Sequence, residues 1–246
     1  MNNVLKLYYK LKAVAGREKI RVYRVGGGKN IVNIMLYPSN MNELRKAVNL
    51  ARKYRVKVIY DNLTVFTREN ALKISLEKFS KIVKVDLEGY KVEVEPGAKI
   101  GGINKVVESR GLWIPCCSEC SRVSVYEAAL NEKCSILSLG YGKIADYIGE
   151  VKIKSLKGRT IKSTAIKEVG GVPTRVSINP ALKPRMRKIY VFKVKDIRKS
   201  VSIIKNILRI RALPDSLGLI VSSKGERNTY VTVSYTHLTL PTTERV

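Results

Sequence analysis

At 246 residues and 45% hydrophobic content, the chain is long enough to bury a core and too apolar for a disordered segment. No apolar run approaches the roughly 20 residues that span a bilayer. The lysine-interrupted start, MNNVLKLYYKLKAV, lacks a signal-peptide core, so a cytoplasmic protein is expected. Forty-seven Lys and Arg against 20 Asp and Glu leave a formal charge of +27. Solubility does not require that excess. It points to an acidic partner, a protein subunit ahead of nucleic acid. The lysine-rich composition without a single Gln also fits the surface habit of a thermophile protein.

Residues 1–19 read as a short helix, with Val4, Leu5, Tyr8 and Tyr9 on its apolar side and Gly16 at its end. Ile20–Val25 reads as a strand. In Gly26-Gly27-Gly28-Lys29-Asn30 no Ser or Thr follows the lysine and no helix begins, so a turn between strands is expected, not a phosphate loop. Ile31–Leu36 is an apolar strand. Asn40 and Glu43 form a capping-box pattern ahead of Leu44, Ala47, Val48 and Ala51 at helical spacing. Val56, Val58 and Ile59 supply the next strand. The unit is βαβ, with its two strands parallel and a right-handed crossover.

Ile82–Asp86 and Lys91–Glu95 alternate as two strands around Glu88-Gly89-Tyr90, with Asp86, Glu88, Glu93 and Glu95 on solvated edges. Ile100–Arg110 reads as a helix, Ile103, Val106 and Val107 inward and Gly111 as its stop. Leu44, Val48, Val58, Ile59, Val83, Val85, Val92 and Val94 are the expected core of the first lobe. Beyond Lys188 come a strand at 189–194, a helix over 196–210 carrying Ile197, Val201, Ile204 and Leu208, a strand at 217–222 and another from Asn228.

Four stretches in this order carry a resemblance: YPSNMNELRKAVNLARKYRVKVI, KIVKVDLEGYKVEVEPGAKI, VVESRGLWIPCCS, and GYG followed by DYIG and VKI. Together they resemble the FAD-binding domain of the vanillyl-alcohol-oxidase and para-cresol-methylhydroxylase (PCMH) type, with glycolate-oxidase and D-lactate-dehydrogenase relatives. The resemblance implies an α+β fold. A two-lobed FAD-binding-type domain would cover 1–183, its first lobe reaching to about residue 80. The start of a ferredoxin-like cap domain would follow over 184–233.

It also implies FAD as cofactor and hydride transfer from a small 2-hydroxy acid. The implied contacts are Tyr60, Asp61, Asn62, Leu63 and Thr64 in a first loop and Pro115, Ser124 and Val125 in a second. Gly140, Tyr141, Gly142 and Val176 complete them. The match departs at both loops. Of the first loop's Arg, glycines and Thr or Ser, only Thr64 is kept, and Tyr126 and Glu127 stand in place of the second loop's glycines. FAD binding is therefore expected to be weak or lost, as in a pseudoenzyme. The alternatives are a non-catalytic partner subunit of an active flavoprotein and a basic nucleic-acid-binding protein.

No catalytic residue can be assigned from the sequence. Cys116, Cys117, Cys120 and Cys134 cluster, and Cys117-x-x-Cys120 has metal-ligand spacing. There is no second such pair, so buried small hydrophobes are the leading reading, with a metal site or a redox pair as alternatives. The final VSYTHLTLPTTERV holds the chain's lone histidine, His237, and differs in composition from the rest. It resembles a read-through of adapter DNA, and residues from about Ser234 are expected to pack against nothing.

Overall fold

The structure, a computed structural model, describes residues 3–25, 31–60, 67–116, 118–131, 137–155, 159–163, 171–209, 214–221 and 229–235. Helix α1 (Asn3–Ala15) buries Val4, Leu7, Leu11 and Ala15, a stripe at helical spacing. Leu5 and Tyr9, expected on the apolar side, are exposed, because Leu7 and Leu11 define the face instead. Gly16 ends the helix at a φ of 88°, a left-handed conformation that glycine adopts without strain.

Strands β1 (Ile20–Val25) and β2 (Ile31–Leu36) pair antiparallel up to Val25 and Ile31. The Gly-rich stretch 26–30 between them lies outside the described residues. Asn40 caps α2 (Met41–Lys53), its side chain accepting from the Glu43 N–H at 2.9 Å. The Glu43 carboxylate accepts from the Ser39 N–H at 2.8 Å and meets Lys19 at 3.0 Å, so the box closes one residue earlier than expected. Leu44, Ala47, Val48 and Ala51 are buried as their spacing requires.

After α2 come β3 (Lys57–Tyr60) and β4 (Ala71–Ile74), and the first sheet has the order β1-β2-β4-β3. The strands flanking α2 share a direction, but β4 lies between them and pairs parallel with both. Strand β4 is not among the expected elements, because Lys73 interrupts its apolar run. That lysine is fully buried, and burial pulls its ammonium below the ordinary lysine value.

Strands β5 (Ile82–Asp86) and β6 (Lys91–Val94) form the expected hairpin. A bulge between Ile82 and Lys84 turns Val83 outward, so this expected core residue is 45% exposed. Val58 and Val85 are half-buried against the core, and Ile59 is half-buried. Helix α3 (Ile100–Val107) buries Ile100, Ile103, Asn104 and Val107, while Val106 faces solvent, contrary to expectation. A 3-10 turn follows and stops at Gly111, φ 73°.

Next come β7 (Leu112–Trp113), the short helices α4 (Ser118–Ser121), α5 (Val125–Asn131) and α6 (Ser138–Tyr141), and strands β8 (Ile148–Lys154), β9 (Thr160–Ser163), β10 (Val172–Ile178) and β11 (Ala181–Leu182). The second sheet is antiparallel with order β5-β6-β10-β8-β9, and β7 pairs with β11. Val94, Val176 and Val151 align across its centre, all fully buried. One continuous apolar cluster runs from Val4 through both sheets to Ile178. Pro96-Gly97 locks the two sheets together. The Gly97 N–H donates to the Phe79 carbonyl, and a Cβ at Gly97 would collide with the Leu76 carbonyl.

The last unit is β12 (Lys188–Val194), α7 (Ile197–Ile207), β13 (Ser216–Val221) and β14 (Thr229–Tyr235), with antiparallel sheet order β12-β14-β13. Asp196 caps α7. The helix turns Ser200 inward, and Ile197, Val201 and Leu208, from the expected apolar stripe, are exposed. Ser234 and Tyr235, expected to pack against nothing, belong to the central strand. Ser234 is 1% exposed, and its hydroxyl lies 2.6 Å from that of Ser216. The remainder of that tail, with His237, lies outside the described residues. No described helix is long and apolar enough to cross a membrane.

Candidate functional site

Strand β3 ends on Tyr60, whose ring enters the junction between the first two sheets. Its hydroxyl donates to the Gly171 carbonyl at 2.7 Å, just before β10. The Tyr126 ring, from the first turn of α5, meets it edge-on at 5.6 Å between centroids and 87° between planes. Both tyrosines are buried. Burial, with Tyr126 adding to it, pushes the Tyr60 phenol above the ordinary tyrosine range. At neutral pH the Tyr60 phenol is uncharged, and the two rings fill the junction.

The second loop is built from hydrogen bonds within the chain. Ser124 bridges to Lys99 and is fully buried, its hydroxyl accepting from the Glu127 N–H at 3.1 Å as the N-cap of α5. The Val125 N–H donates to the Ala98 carbonyl at 2.9 Å, and the Tyr126 N–H to the Pro96 carbonyl at 3.0 Å. A diphosphate is held by backbone N–H groups left bare to it. Here the donors at Val125, Tyr126 and Glu127 already have partners, and Tyr126 adds a ring where the resemblance implies glycine. The described second loop does not fit the cofactor in the manner implied. Asp61, Asn62, Leu63 and Thr64, the implied first loop, lie outside the described residues.

Beside this loop α3 borders an open cleft of about 690 Å³, lined by Lys99, Lys105 and Arg122 with Glu108 as counter-charge. Gly101 is small because Ser121 packs on it, 2.9 Å from where a Cβ would stand. Asn104, buried on the same helix, accepts from the Ile114 N–H at 2.7 Å and donates to the Ile114 carbonyl at 2.9 Å. That double bond to the backbone places the buried Pro115 and sets Cys116 Sγ 3.5 Å from the Asn104 amide nitrogen. The surplus of cations makes the cleft attractive to anions.

The remaining implied contacts serve other junctions. The Gly140 N–H donates to the Asp215 carbonyl at 3.2 Å, and a Cβ there would strike the Asp215 backbone, so this glycine seats the C-terminal unit. The Tyr141 ring meets Trp113 edge-on at 5.3 Å, and its carbonyl accepts from the Tyr147 hydroxyl at 2.6 Å. Gly142 ends α6 at φ 77°. Trp113 Nε1 and Asp215 Oδ2, near this junction, are buried without hydrogen-bond partners. Val176 is a core residue of the second sheet. The structure thus joins Tyr60 to the second loop, while Gly140, Tyr141, Gly142 and Val176 lie at the other junctions just described.

Cys116 is half-buried and Cys120 buried. Cys117 and Cys134 lie outside the described residues. Among the described residues no three His, Cys, Asp or Glu converge as metal ligands. The Gly171 acceptor and the Lys99, Lys105 and Arg122 cluster carry no local sequence signal, since only folding brings them together.

The sequence profile of the family described as "FAD binding domain" matches residues 32–164. Among curated proteins, the glycolate oxidase subunit GlcD of Bacillus subtilis (strain 168) is 21% identical over 213 residues, 77% of this chain and 45% of that protein. Among solved structures, an alkyldihydroxyacetonephosphate synthase overlays with a TM-score of 0.68 at 14% identity, covering 94% of this chain and 56% of the other. Wild-type Phl p 4.0202, a glucose dehydrogenase, overlays with a TM-score of 0.68 at 15% identity, covering 94% and 55%. At these identities the structural matches speak for the fold alone. The chain spans about half the length of these relatives.

Proposed function

The chain belongs to the FAD binding domain family, and from that premise we propose that it is a degenerate FAD-linked oxidase relative whose own hold on flavin is weak or lost. Its relationship to enzymes of the glycolate-oxidase kind, which act on small 2-hydroxy acids, rests on the likeness to the GlcD subunit. The observation that carries the reading is the second loop. Val125 and Tyr126 donate their N–H groups to Ala98 and Pro96, and the Tyr126 ring packs against Tyr60. Admitting a flavin there requires breaking two backbone hydrogen bonds and moving a buried aromatic ring. The +27 charge attracts a dianion from a distance. That diffuse attraction does not open a filled site.

The test is the visible absorption spectrum of the purified protein, followed by titration with added FAD. The expected result is a colourless protein with weak or undetectable flavin uptake. A yellow protein carrying flavin near its own molar concentration overturns the reading and restores the oxidase. If the protein is colourless, its role is a non-catalytic subunit beside an active flavoprotein, for which its basic surface is suited.

A further inference from the structure

The charges around the cleft beside α3 do not balance. Lys99 stands just before that helix, Lys105 within it and Arg122 just past α4, and all three line the same hollow of about 690 Å³. The carboxylate on its wall, Glu108, is paired with Lys183 at 2.7 Å. Among the described residues Lys99, Lys105 and Arg122 have no carboxylate partner, although elsewhere Lys19 pairs with Glu43 and Lys152 with Glu93. Like charges gathered without a counter-ion repel one another, and a bound anion relieves that repulsion. The wall is also shaped to leave room. Gly101 gives its space to Ser121, which lies against α3, whereas a Cβ at Gly102 would meet nothing within 4 Å. Asn104, bonded twice to Ile114, fixes the helix on the other side of its turn.

We propose that this cleft binds a phosphate dianion, free or carried by a small molecule, with Lys99, Lys105 and Arg122 as its cationic ligands. The volume lies within the roughly 300–1,000 Å³ of small-molecule sites. Three cations without partners suit a dianion better than a monocarboxylate, which would offset one of them. The planar fork of Arg122 matches two oxygens of a phosphate, and the lysines add point charges. The lining residues all fall within 99–122, well inside the chain, so neither terminus builds the site. Tyr60 and Tyr126 are not among them, and the proposal holds whether or not flavin binds.

The test titrates the full chain with inorganic phosphate, pyrophosphate and glycerol 3-phosphate, followed by calorimetry and by backbone amide signals in the NMR spectrum. Citrate, an anion without phosphorus, and a short DNA single strand are the controls. The phosphate compounds should bind more tightly than citrate and shift the amides of Gly101, Gly102 and Arg122. Tighter binding of glycerol 3-phosphate than of inorganic phosphate marks a phosphate ester as the occupant, and the reverse order marks the free ion. Lys105→Gln and Arg122→Gln should each weaken binding at least about fivefold. Lys46→Gln with Lys53→Gln, exposed on α2, should leave it unchanged. Gly102→Leu should fill the cleft and abolish binding, with the melting midpoint kept or raised because leucine favours a helix more than glycine does. Citrate binding as tightly as the phosphates overturns the proposal. So does a loss from the α2 variant as large as that from Lys105→Gln, a set of shifts centred on residues 60–64 or 124–127, or no saturable binding. DNA bound more tightly than pyrophosphate and indifferent to Gly102→Leu rejects it in favour of a nucleic-acid surface.

Discussion

The Tyr60 hydroxyl donates to the Gly171 carbonyl at 2.7 Å, joining the last residue of β3 to the threshold of β10 across 111 positions of sequence. Tyr126 closes the same junction from the second loop. In this fold the seam between the two sheets is therefore filled by the protein's own side chains. The seam's stability depends on these few atoms.

Replacing Tyr60 by Phe keeps the ring and orphans the Gly171 carbonyl. The expected loss is about 1–2 kcal/mol in urea unfolding. The phenol's pKa is raised in the folded state, so the folded protein holds this proton more tightly than the unfolded chain does. The contribution is full below the unfolded tyrosine value of about 10 and fades as the pH rises beyond it. The variant should show a shallower alkaline fall in stability. Superimposable pH profiles would remove Tyr60 from the seam.

Asn104 satisfies both backbone groups of Ile114 from inside the core. Asn104→Leu leaves a buried N–H and a buried carbonyl without partners, at a cost of about 2–5 kcal/mol. A denaturation midpoint within error of the parent would show that water or backbone movement replaces the amide.

Glu93 reaches across β10 to Lys152 at 2.6 Å. The Lys152 hydrogen bond holds its carboxyl below the ordinary glutamate value against the opposing effect of burial, with the charges of Lys152, Lys91 and Arg175 helping. A depressed carboxylate stabilises above its unfolded pKa of about 4.3, and the benefit is lost as pH falls through the lower folded value. Glu93→Gln should flatten the acid limb of the stability profile, by about 1 kcal/mol or less because the pair is partly exposed. The check is thermal melting between neutral pH and the acid transition, and an unchanged acid limb rejects the pairing.

The bulge in β5 separates two valines that look alike in sequence. Val83→Ala should change stability by less than about 0.5 kcal/mol, whereas Val92→Ala should cost about 1–3 kcal/mol through the cavity it leaves. Equal losses from the two variants, compared by chemical denaturation, would return Val83 to the core.

What the sequence determined by itself is the part that depends on near neighbours. The Asn40 cap and the buried stripe of α2, the 82–94 hairpin, the Gly111 stop and the strand–helix order after Lys188 all follow from spacing and turn chemistry. Each is formed by residues a few positions apart. Their order along the chain also made the FAD-binding family legible. Three features were decided by pairings between distant residues, which local pattern does not encode. Strand β4 slips between β2 and β3 because its partners lie on both of them, while Lys73 hides its apolar run. Ser234 is buried because β12 and β13 flank it, although its own composition reads as foreign. The closed seam of Tyr60, Tyr126 and Gly171 forms because hydrogen bonding and ring packing act between atoms that only the folded chain brings within reach.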